Sequence, residues 1–227
     1  MKPTGLTARQ VMDLLWHYYA PYTWKPRYDA ITELIFTILS QHTSDYNSER
    51  AFKSLMDTFG SLEEVANADI EAIQKAINTG GLAKTKAPRI KYALHMVMTL
   101  CGSLDLSFLK QLPLAEAKAW LRQIPGIGPK SAAIVLCFSL GMPAIAVDTH
   151  VYRVAKRLAL IGPKVTADQA HGILEDSIPL TLRYPFHVAL ISHGRLVCKA
   201  LSPKCNECVL AHRCPSKPIF QKPKTIG

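Results

Sequence analysis

The sequence predicts an all-α fold, and three observations support this. Apolar residues recur every three or four positions through most of the chain, which is the spacing of one face of an α-helix. We find no segment that alternates apolar and polar residues as a half-buried strand does. Turn signals rich in glycine and proline separate the apolar runs at distances that suit short connections between helices.

The first predicted helices follow from their apolar positions, taken in chain order. An amphipathic helix near the start carries Val11, Leu14, Leu15 and Tyr18. The next helix carries Ile31, Leu34, Ile35, Thr37 and Ile38. A later helix carries Ile90, Ala93, Leu94, Val97 and Met98.

The stretch IPGIGPKSA, followed by AIVLCFSL, predicts a tight turn and then a buried helix. Gly128 and Pro129 are typical of a helix start and Gly141 of a helix end, so we expect a helix over about residues 130–140. Lys130 then lies in the first turn. There the positive end of the helix dipole, together with partial burial, should favour the neutral and nucleophilic amine.

The glycines of the same stretch have a separate use. Gly126 and Gly128 allow a turn whose backbone N–H groups, together with the helix N-terminus, form a concave site for a phosphate. The alternative is an ordinary corner between two helices with an exposed lysine, because short glycine motifs also match by chance.

Asp148 lies eighteen residues after Lys130, in AIAVDTHVYRVAKRLAL. It precedes a segment with helical apolar spacing and therefore fits the N-cap position of a helix. A carboxylate fixed in this way can also take a proton from a lysine amine or stabilise positive charge on a sugar.

A cluster of four cysteines with the pattern C-x6-C-x2-C-x5-C predicts a metal centre: Cys198, Cys205, Cys208 and Cys214. Two centres are compatible with four thiolates, a tetrahedral zinc site and a [4Fe-4S] cluster. The single C-x2-C pair favours the cluster, because zinc motifs usually pair two such units. Cys101 and Cys137 lie in apolar helical contexts, so we expect them in the core.

The composition favours a polyanionic partner. Lysine and arginine number 27 against 17 acidic residues, for a net charge of +10, which suits nucleic acid or an anionic membrane surface. The first residues do not form a signal peptide, and no apolar run reaches the roughly 18 residues of a membrane span. We therefore expect an intracellular protein.

Three motifs in this order resemble the endonuclease III branch of the helix-hairpin-helix DNA glycosylases: IPGIGPKSA, the aspartate of VDTHVYRV, and SHGRLVC at the start of the cysteine array. The similarity extends from about Tyr28 to Cys214. It implies two helical domains with a DNA cleft between them. One domain is residues 29–142 with the hairpin, and the other joins residues 1–28 to 143–227 and carries a [4Fe-4S] cluster.

The resemblance further implies a base-excision repair enzyme that acts on double-stranded DNA with damaged bases or abasic sites. Lys130 is the implied nucleophile, Asp148 the catalytic carboxylate, and the four cysteines the cluster ligands. Relatives that only remove the base carry another residue in place of the lysine, so Lys130 implies a bifunctional glycosylase and β-elimination lyase. We expect a monomer in the cytoplasm, associated with chromosomal DNA and not with a membrane.

The resemblance implies the type of reaction more directly than the damaged base that is removed. Oxidised pyrimidines are expected, with two alternatives open: a uracil or thymine mismatch glycosylase of the same fold, and a non-catalytic iron-sulfur DNA-binding protein. The chain continues for thirteen residues after Cys214, so we expect no added recognition domain of the kind found in the adenine-removing branch.

The resemblance also assigns residues that enter the duplex. ILSQHTSD resembles an S-x-Q-x-x-D stretch whose glutamine fills the gap left by a flipped nucleotide. Ungapped alignment places His42 there and Gln41 one position earlier, so the role stays open between them. Leu82, in NTGGLAKTKA, resembles an apolar wedge, with a helix-capping leucine as the alternative.

The remaining expectations concern the surroundings of the site. The IPGIG turn is the implied phosphate grip, with Gly126 and Gly128 in it. His150 is a candidate for the base pocket, with a structural role as the alternative. Asp45 is expected to cap or brace the helix beside that pocket. Phosphate contacts are expected from four lysines: Lys84, Lys86, Lys199 and Lys204.

Overall fold

The computed structural model describes residues 5–220, and all regular structure in that range is helical, which confirms the all-α prediction. Within that range, no helix combines the length and the apolar character needed to cross a bilayer. The α-helices are, in chain order, α1 Ala8–Tyr19, α2 Ala30–Ser40, α3 Asp45–Phe59, α4 Leu62–Asn67, α5 Ile70–Ala76, α6 Ala83–Cys101, α7 Leu114–Leu121, α8 Pro129–Leu140, α9 Thr149–Arg157, α10 Ala167–Ser177, α11 Arg183–Leu196 and α12 Lys217–Phe220.

The chain forms two compact units. The continuous unit comprises residues 25–142 and contains α2 to α8. The split unit joins the residues up to Trp24, which include α1, to those from Pro143 onward, which include α9 to α12. The first boundary lies after residue 24, whereas the sequence places it after residue 28.

Helix α2 is the centre of the continuous unit. Its apolar residues cover almost every face, and α3, α6 and α8 pack against it. The carboxylate of Glu33 is buried within this packing and accepts hydrogen bonds from the Arg27 guanidinium, with Nε to Oε2 at 3.0 Å. This pairing satisfies a charge that burial alone would disfavour.

The split unit is built around α11, which packs against α1 and α9. Thr7 and Gln10 start α1 with a reciprocal capping box. Two of the apolar residues on which this predicted helix depends, Leu14 and Tyr18, are 36% and 64% exposed. The buried stripe lies further round the helix, on Ala8, Val11, Met12 and Leu15.

Candidate functional site

Helices α7 and α8 form a helical hairpin around a turn of residues 122–128. Ile124 and Ile127 are buried and anchor the turn in the core of the continuous unit. The turn is also held from α2, since the Gln41 side chain donates from Nε2 to the Gly126 carbonyl at 2.9 Å.

The two glycines of the turn differ in backbone conformation and in the space available for a side chain. Gly126 has a φ of 86°, and a Cβ there would lie 3.3 Å from Cδ of Arg89, so backbone and packing both favour glycine. Gly128 has a φ of −88°, and a Cβ there would meet nothing within 4 Å. Gly128 is the N-cap of α8 and supplies no side-chain acceptor to the N–H groups of the first turn.

Helix α8 confirms the predicted helix and its ends. It runs from Pro129 to Leu140, and Gly141 closes it in the left-handed region with a φ of 65°. Lys130 is its second residue, and the first turn holds no acidic side chain. The expected partial burial of Lys130 is wrong, because the second helical position points outward and the side chain is exposed.

Asp148 is the N-cap of α9, as expected. Its Oδ1 accepts from the Val151 N–H at 2.7 Å, and the residue is half-buried. The cap uses one carboxylate oxygen, and a carboxylate has a second oxygen for another partner.

The segment before Asp148 is extended and buried, without a helix or sheet partner for its backbone. The Ile145 N–H donates to a carboxylate at 2.9 Å, and the Ile145 and Ala146 carbonyls each accept from a histidine Nδ1 at 2.8 Å. The carboxylate is that of Glu175, and the two histidines are His171 on Ile145 and His187 on Ala146. All three are buried residues of α10 and α11. Such a segment needs acceptors and donors from side chains, so these three residues fix where the chain enters α9.

Sequence reasoning missed these three residues. They lie between 26 and 41 positions from their partners, and His171 and His187 look like ordinary helical histidines. The only available signal was a set of polar residues at positions where α10 and α11 bury their apolar faces.

Two loop residues of the continuous unit adopt left-handed backbone conformations. His42 has a φ of 54° and is exposed, and Leu82 has a φ of 53° and is 55% exposed. Leu82 is the N-cap of α6, but its side chain makes no cap hydrogen bond. Gln41 is engaged at both ends, since its Oε1 accepts from Nη1 of Arg89 at 3.2 Å and its Nε2 holds the hairpin turn.

The structure corrects the expected phosphate contact of Lys86 and the expected cap at Asp45. Lys86 does not lie on the surface beside Lys84 but is 2% exposed, so it offers no charge to a phosphate, whereas Lys84 is exposed. The N-cap of α3 is Ser44, whose side chain accepts from the backbone of Asn47, and Asp45 follows as the first helical residue.

His150 belongs to the packing of the split unit. Its Nδ1 lies 3.2 Å from Nη2 of Arg153. A Cβ at Gly194 would lie 2.9 Å from the His150 Cβ. The glycine therefore allows α11 to pack closely against α9. Near the cysteines, Lys204 is exposed and pairs with Glu207 at 3.1 Å, and Lys199 is exposed.

The four predicted cysteines line one pocket that is partly open to solvent: Cys198, Cys205, Cys208 and Cys214. All four are half-buried. Burial raises the pKa of the Cys208 thiol to about 11, and burial also raises the pKa of Cys214. Thiols held in this way have little tendency to ionise alone, whereas a bound metal centre stabilises the thiolate form.

The two candidate centres differ in the number of metal ions that the four thiolates hold. A single zinc ion needs four sulfurs about 2.3 Å from one point, and in residues 5–220 no group of three or more ligating side chains is placed to hold one metal ion. A [4Fe-4S] cluster instead takes one thiolate on each of its four irons, which matches the four cysteines of the array.

Basic residues of α9 hold the loop that carries the first cysteine. The Arg157 guanidinium donates to the carbonyls of Lys199 and Ala200 at 2.7 and 2.8 Å, and its Nη1 lies 3.3 Å from the Cys198 sulfur. Arg153 Nε donates to the Cys198 carbonyl at 3.1 Å. The loop is thereby fixed to the same helix that Asp148 begins.

Comparison with known proteins agrees with this arrangement. Residues 35–180 match the model described as HhH-GPD superfamily base excision DNA repair protein. Residues 198–214 match the iron-sulfur binding domain of endonuclease III.

Individual relatives point the same way. Endonuclease III of Thermotoga maritima is 33% identical over 186 residues, spanning 82% of this chain and 83% of that one. An Arabidopsis thaliana protein named as a DNA glycosylase is 37% identical over 163 residues, which span 72% of this chain and 56% of that protein. A non-covalent endonuclease III–DNA complex superposes with a TM-score of 0.77 at 27% identity, covering 96% of this chain and 100% of the other.

The fold and the site define a helix-hairpin-helix protein with an iron-sulfur centre. The chain belongs to the HhH-GPD superfamily of base excision DNA repair proteins, and within it to the DNA glycosylase and abasic-site lyase enzymes. Its metal centre is a [4Fe-4S] cluster, so the zinc alternative is wrong. The alternative of a non-catalytic iron-sulfur DNA-binding protein is also wrong, because this chain belongs to a group of enzymes.

We expect purified protein to be brown and to contain about four irons per chain. Cys208→Ser should lose most of that iron and unfold at a lower denaturant concentration, because three thiolates hold the cluster poorly and the pocket loses its cross-link. Iron and sulfide assays with visible absorbance measure the first effect, and urea titration the second. Cys101→Ser is the control and should keep its iron, since Cys101 is remote in sequence from the cysteine array. Full iron content in Cys208→Ser would contradict the ligand assignment.

Proposed function

We propose that this enzyme removes oxidised pyrimidines from double-stranded DNA and then cuts the strand at the resulting abasic site by β-elimination. The observation that carries the proposal is Lys130, an exposed amine in the first turn of α8, directly after the glycine turn. A lysine there can form an imine with a sugar carbon, which a glycosylase that only activates water does not need.

DNA binding by the hairpin follows from its backbone. Gly128 leaves the first N–H groups of α8 without a side-chain acceptor and places no Cβ before them, so a phosphate oxygen can approach. The net charge of +10 adds a general attraction to the polyanion that weakens with salt. The exposed Lys84 adds a local phosphate contact.

The reaction begins when the damaged nucleotide leaves the base stack. The neutral amine of Lys130 attacks C1′ and forms a C–N bond, while the bond to the base breaks and its electrons leave with the base. The C1′–O4′ bond then breaks as O4′ takes up a proton, which opens the sugar ring and gives the protonated imine. This imine draws electrons towards C1′, so that C2′ loses a proton and the 3′ phosphate departs. Water finally hydrolyses the imine and restores the amine.

Asp148 serves the same reaction as a carboxylate with a fixed position. Its role is to accept the proton that the Lys130 ammonium must lose and to offset positive charge that develops on the sugar. The cap to Val151 and the three side chains on the preceding segment hold the Asp148 carboxylate in place within its own unit. A trapped endonuclease III–DNA covalent intermediate has been solved for a related protein, which supports a covalent step in the proposed reaction.

We assign the space left by the flipped nucleotide to His42 rather than to Gln41. Gln41 already holds the hairpin turn and accepts from Arg89, whereas His42 is exposed at the tip of its loop. Leu82 is exposed at the start of α6 and acts as the apolar wedge.

The [4Fe-4S] cluster is held by the four cysteines of the C-terminal array: Cys198, Cys205, Cys208 and Cys214. When bound, it supplies a rigid cross-link for a segment that has little helix of its own. The basic loop between the first two of these cysteines then has a fixed shape for contacts with the DNA backbone. We further propose that the enzyme acts as a monomer on chromosomal DNA inside the cell.

A preference for uracil or thymine in mismatches has no comparable support. A thermostable thymine-DNA glycosylase superposes with a TM-score of 0.74, but at 20% identity this shows the fold alone.

A panel of duplexes that each carry one lesion tests the proposal. We expect duplexes with an oxidised pyrimidine to be cut to the β-elimination product, and uracil or thymine mismatch duplexes to be cut much more slowly. Denaturing electrophoresis identifies the product by its 3′ end. Preferential release of uracil or thymine would overturn the substrate assignment, and an intact abasic strand as final product would overturn the lyase chemistry.

A further inference from the structure

Lys86 is a cation buried within the continuous unit. Its side chain is 2% exposed, and its ammonium donates to the carbonyls of Leu39 at 2.6 Å and Gly80 at 3.0 Å and to the hydroxyl of Thr43. An ammonium has three donors, so this set is complete, and all three acceptors are neutral. Burial lowers the pKa of Lys86, and such a group is retained only where its hydrogen bonds offset the loss of water.

The three acceptors come from three different segments. Leu39 lies in the last turn of α2, whose dipole there favours a cation. Thr43 belongs to the loop of residues 41–44 that carries His42, and Gly80 to the loop of residues 78–82 that carries Leu82. The Thr43 hydroxyl also lies 2.7 Å from the Gly80 carbonyl, so the two loops are joined directly beside the ammonium.

The same two loops carry the left-handed residues of this unit other than glycine. His42 and Leu82 have φ values of 54° and 53°, conformations that residues with a Cβ rarely adopt and that persist where surrounding contacts impose them. Both side chains are exposed, so neither conformation serves to bury apolar surface. At Gly80 the second loop lies so close to α3 that a Cβ would sit 2.8 Å from the Cβ of Ala51.

We propose that Lys86 is a positioning residue that locks these two loops together, so that His42 and Leu82 are presented as one preformed element that enters the DNA duplex. The inference rests on the proposed function, because it takes His42 and Leu82 as the inserting side chains. It adds that their geometry exists before DNA binds and depends on one buried ammonium. Without that ammonium the loops relax independently, and the opening of the base stack becomes inefficient.

The test compares Lys86→Met with the unchanged iron-loaded protein on two substrates. The first is an abasic site in a duplex and the second an abasic site in a single-stranded oligonucleotide, which has no stack to open. We expect kcat/KM on the duplex to fall roughly 10- to 100-fold, as for other displaced positioning groups, with the single-strand rate within about twofold. The fluorescence of 2-aminopurine beside a tetrahydrofuran site, which rises when the base unstacks, should rise less with the variant.

Conservative variants separate positioning from general stability. Thr43→Val removes one acceptor and should give part of the duplex-specific loss, and Thr43→Ser keeps the hydroxyl and should restore the rate. Lys91→Met is the matched control: Lys91 lies on the same helix and donates to the Ala68 carbonyl at 2.7 Å, away from both loops. The Lys91→Met variant should lower the stability of the protein, but it should change the rates on the duplex and on the single strand by the same factor. If Lys86→Met does not fold, the two Thr43 variants decide the question.

The outcomes distinguish the inference from the function on which it rests. A folded Lys86→Met with an unchanged duplex rate, or with equal losses on both substrates, overturns the positioning role. Full duplex activity in Thr43→Val overturns it as well. Leu82→Ala with an undiminished 2-aminopurine signal would instead refute the wedge, and no cleavage of any abasic duplex by the unchanged protein would refute the proposed lyase.

Discussion

Lys130→Gln is expected to form no covalent complex with an abasic duplex under borohydride and to cut that duplex on the order of 10³-fold more slowly or worse. Borohydride reduces the imine to a stable amine that links enzyme and DNA, and glutamine has no amine that can form the imine. Denaturing gel electrophoresis of the reduced mixture measures the adduct directly. The fold should be intact, because Lys130 is exposed and glutamine is a good helix former.

Stability and binding provide the controls for this variant. A cation in the first turn of a helix opposes the dipole by about 0.3–1 kcal/mol, so Lys130→Gln should be as stable as the original protein or slightly more so. Lys130→Arg keeps the charge but cannot form the imine, and it should bind duplex DNA without being trapped. Lys110→Gln removes another exposed lysine of the same unit and should be trapped normally. Undiminished trapping in Lys130→Gln would show that another amine is the nucleophile.

The features around Lys130 were predictable because their signals are local. Gly128, Pro129 and Gly141 mark both ends of α8 within a few residues, and the structure places the helix accordingly. The N-cap role of Asp148 is equally local, since its partner is the backbone of Val151. The cysteine array also lies within a short segment, so its spacing alone indicated a metal centre.

Burial was the property that sequence patterns predicted least well. Helical spacing indicates that a face is apolar, but it does not say which part of that face meets the core, and Leu14 and Tyr18 of α1 are exposed. Lys130 is exposed for a similar reason: a residue in the first turn is not constrained by the apolar run that follows it.

Lys86 could not be placed from its neighbours in the sequence. Its partners lie 6, 43 and 47 residues away, and only the folded chain brings them together. A lysine in a glycine-rich, basic stretch ordinarily indicates a solvated loop. The distinction between Gln41 and His42 also required the structure, because it depends on a hydrogen bond from Gln41 to a turn 85 residues further along.

Asp148→Asn is expected to lower the rate of base release and strand cleavage by roughly 10²- to 10⁴-fold, the usual contribution of a general acid or base. Asparagine caps helices about as well as aspartate, so the hydrogen bond to the Val151 N–H is retained. The free energy of unfolding should fall by less than about 1 kcal/mol, which is the value of a negative charge at a helix N-terminus. Slow borohydride trapping should persist, because Lys130 is still present.

Asp148→Ala separates the chemical role of the carboxylate from its structural one. Alanine removes the cap as well as the charge, which costs about 0.5–2 kcal/mol of stability, while the activity should match that of Asp148→Asn. Urea denaturation and single-turnover cleavage on the same preparations make the comparison. If Asp148→Asn keeps near-original activity and only Asp148→Ala loses it, then Asp148 acts as a helix cap alone. Equal activity losses with unequal stabilities would show that the carboxylate itself takes part, since the asparagine variant keeps both the cap and the side-chain volume.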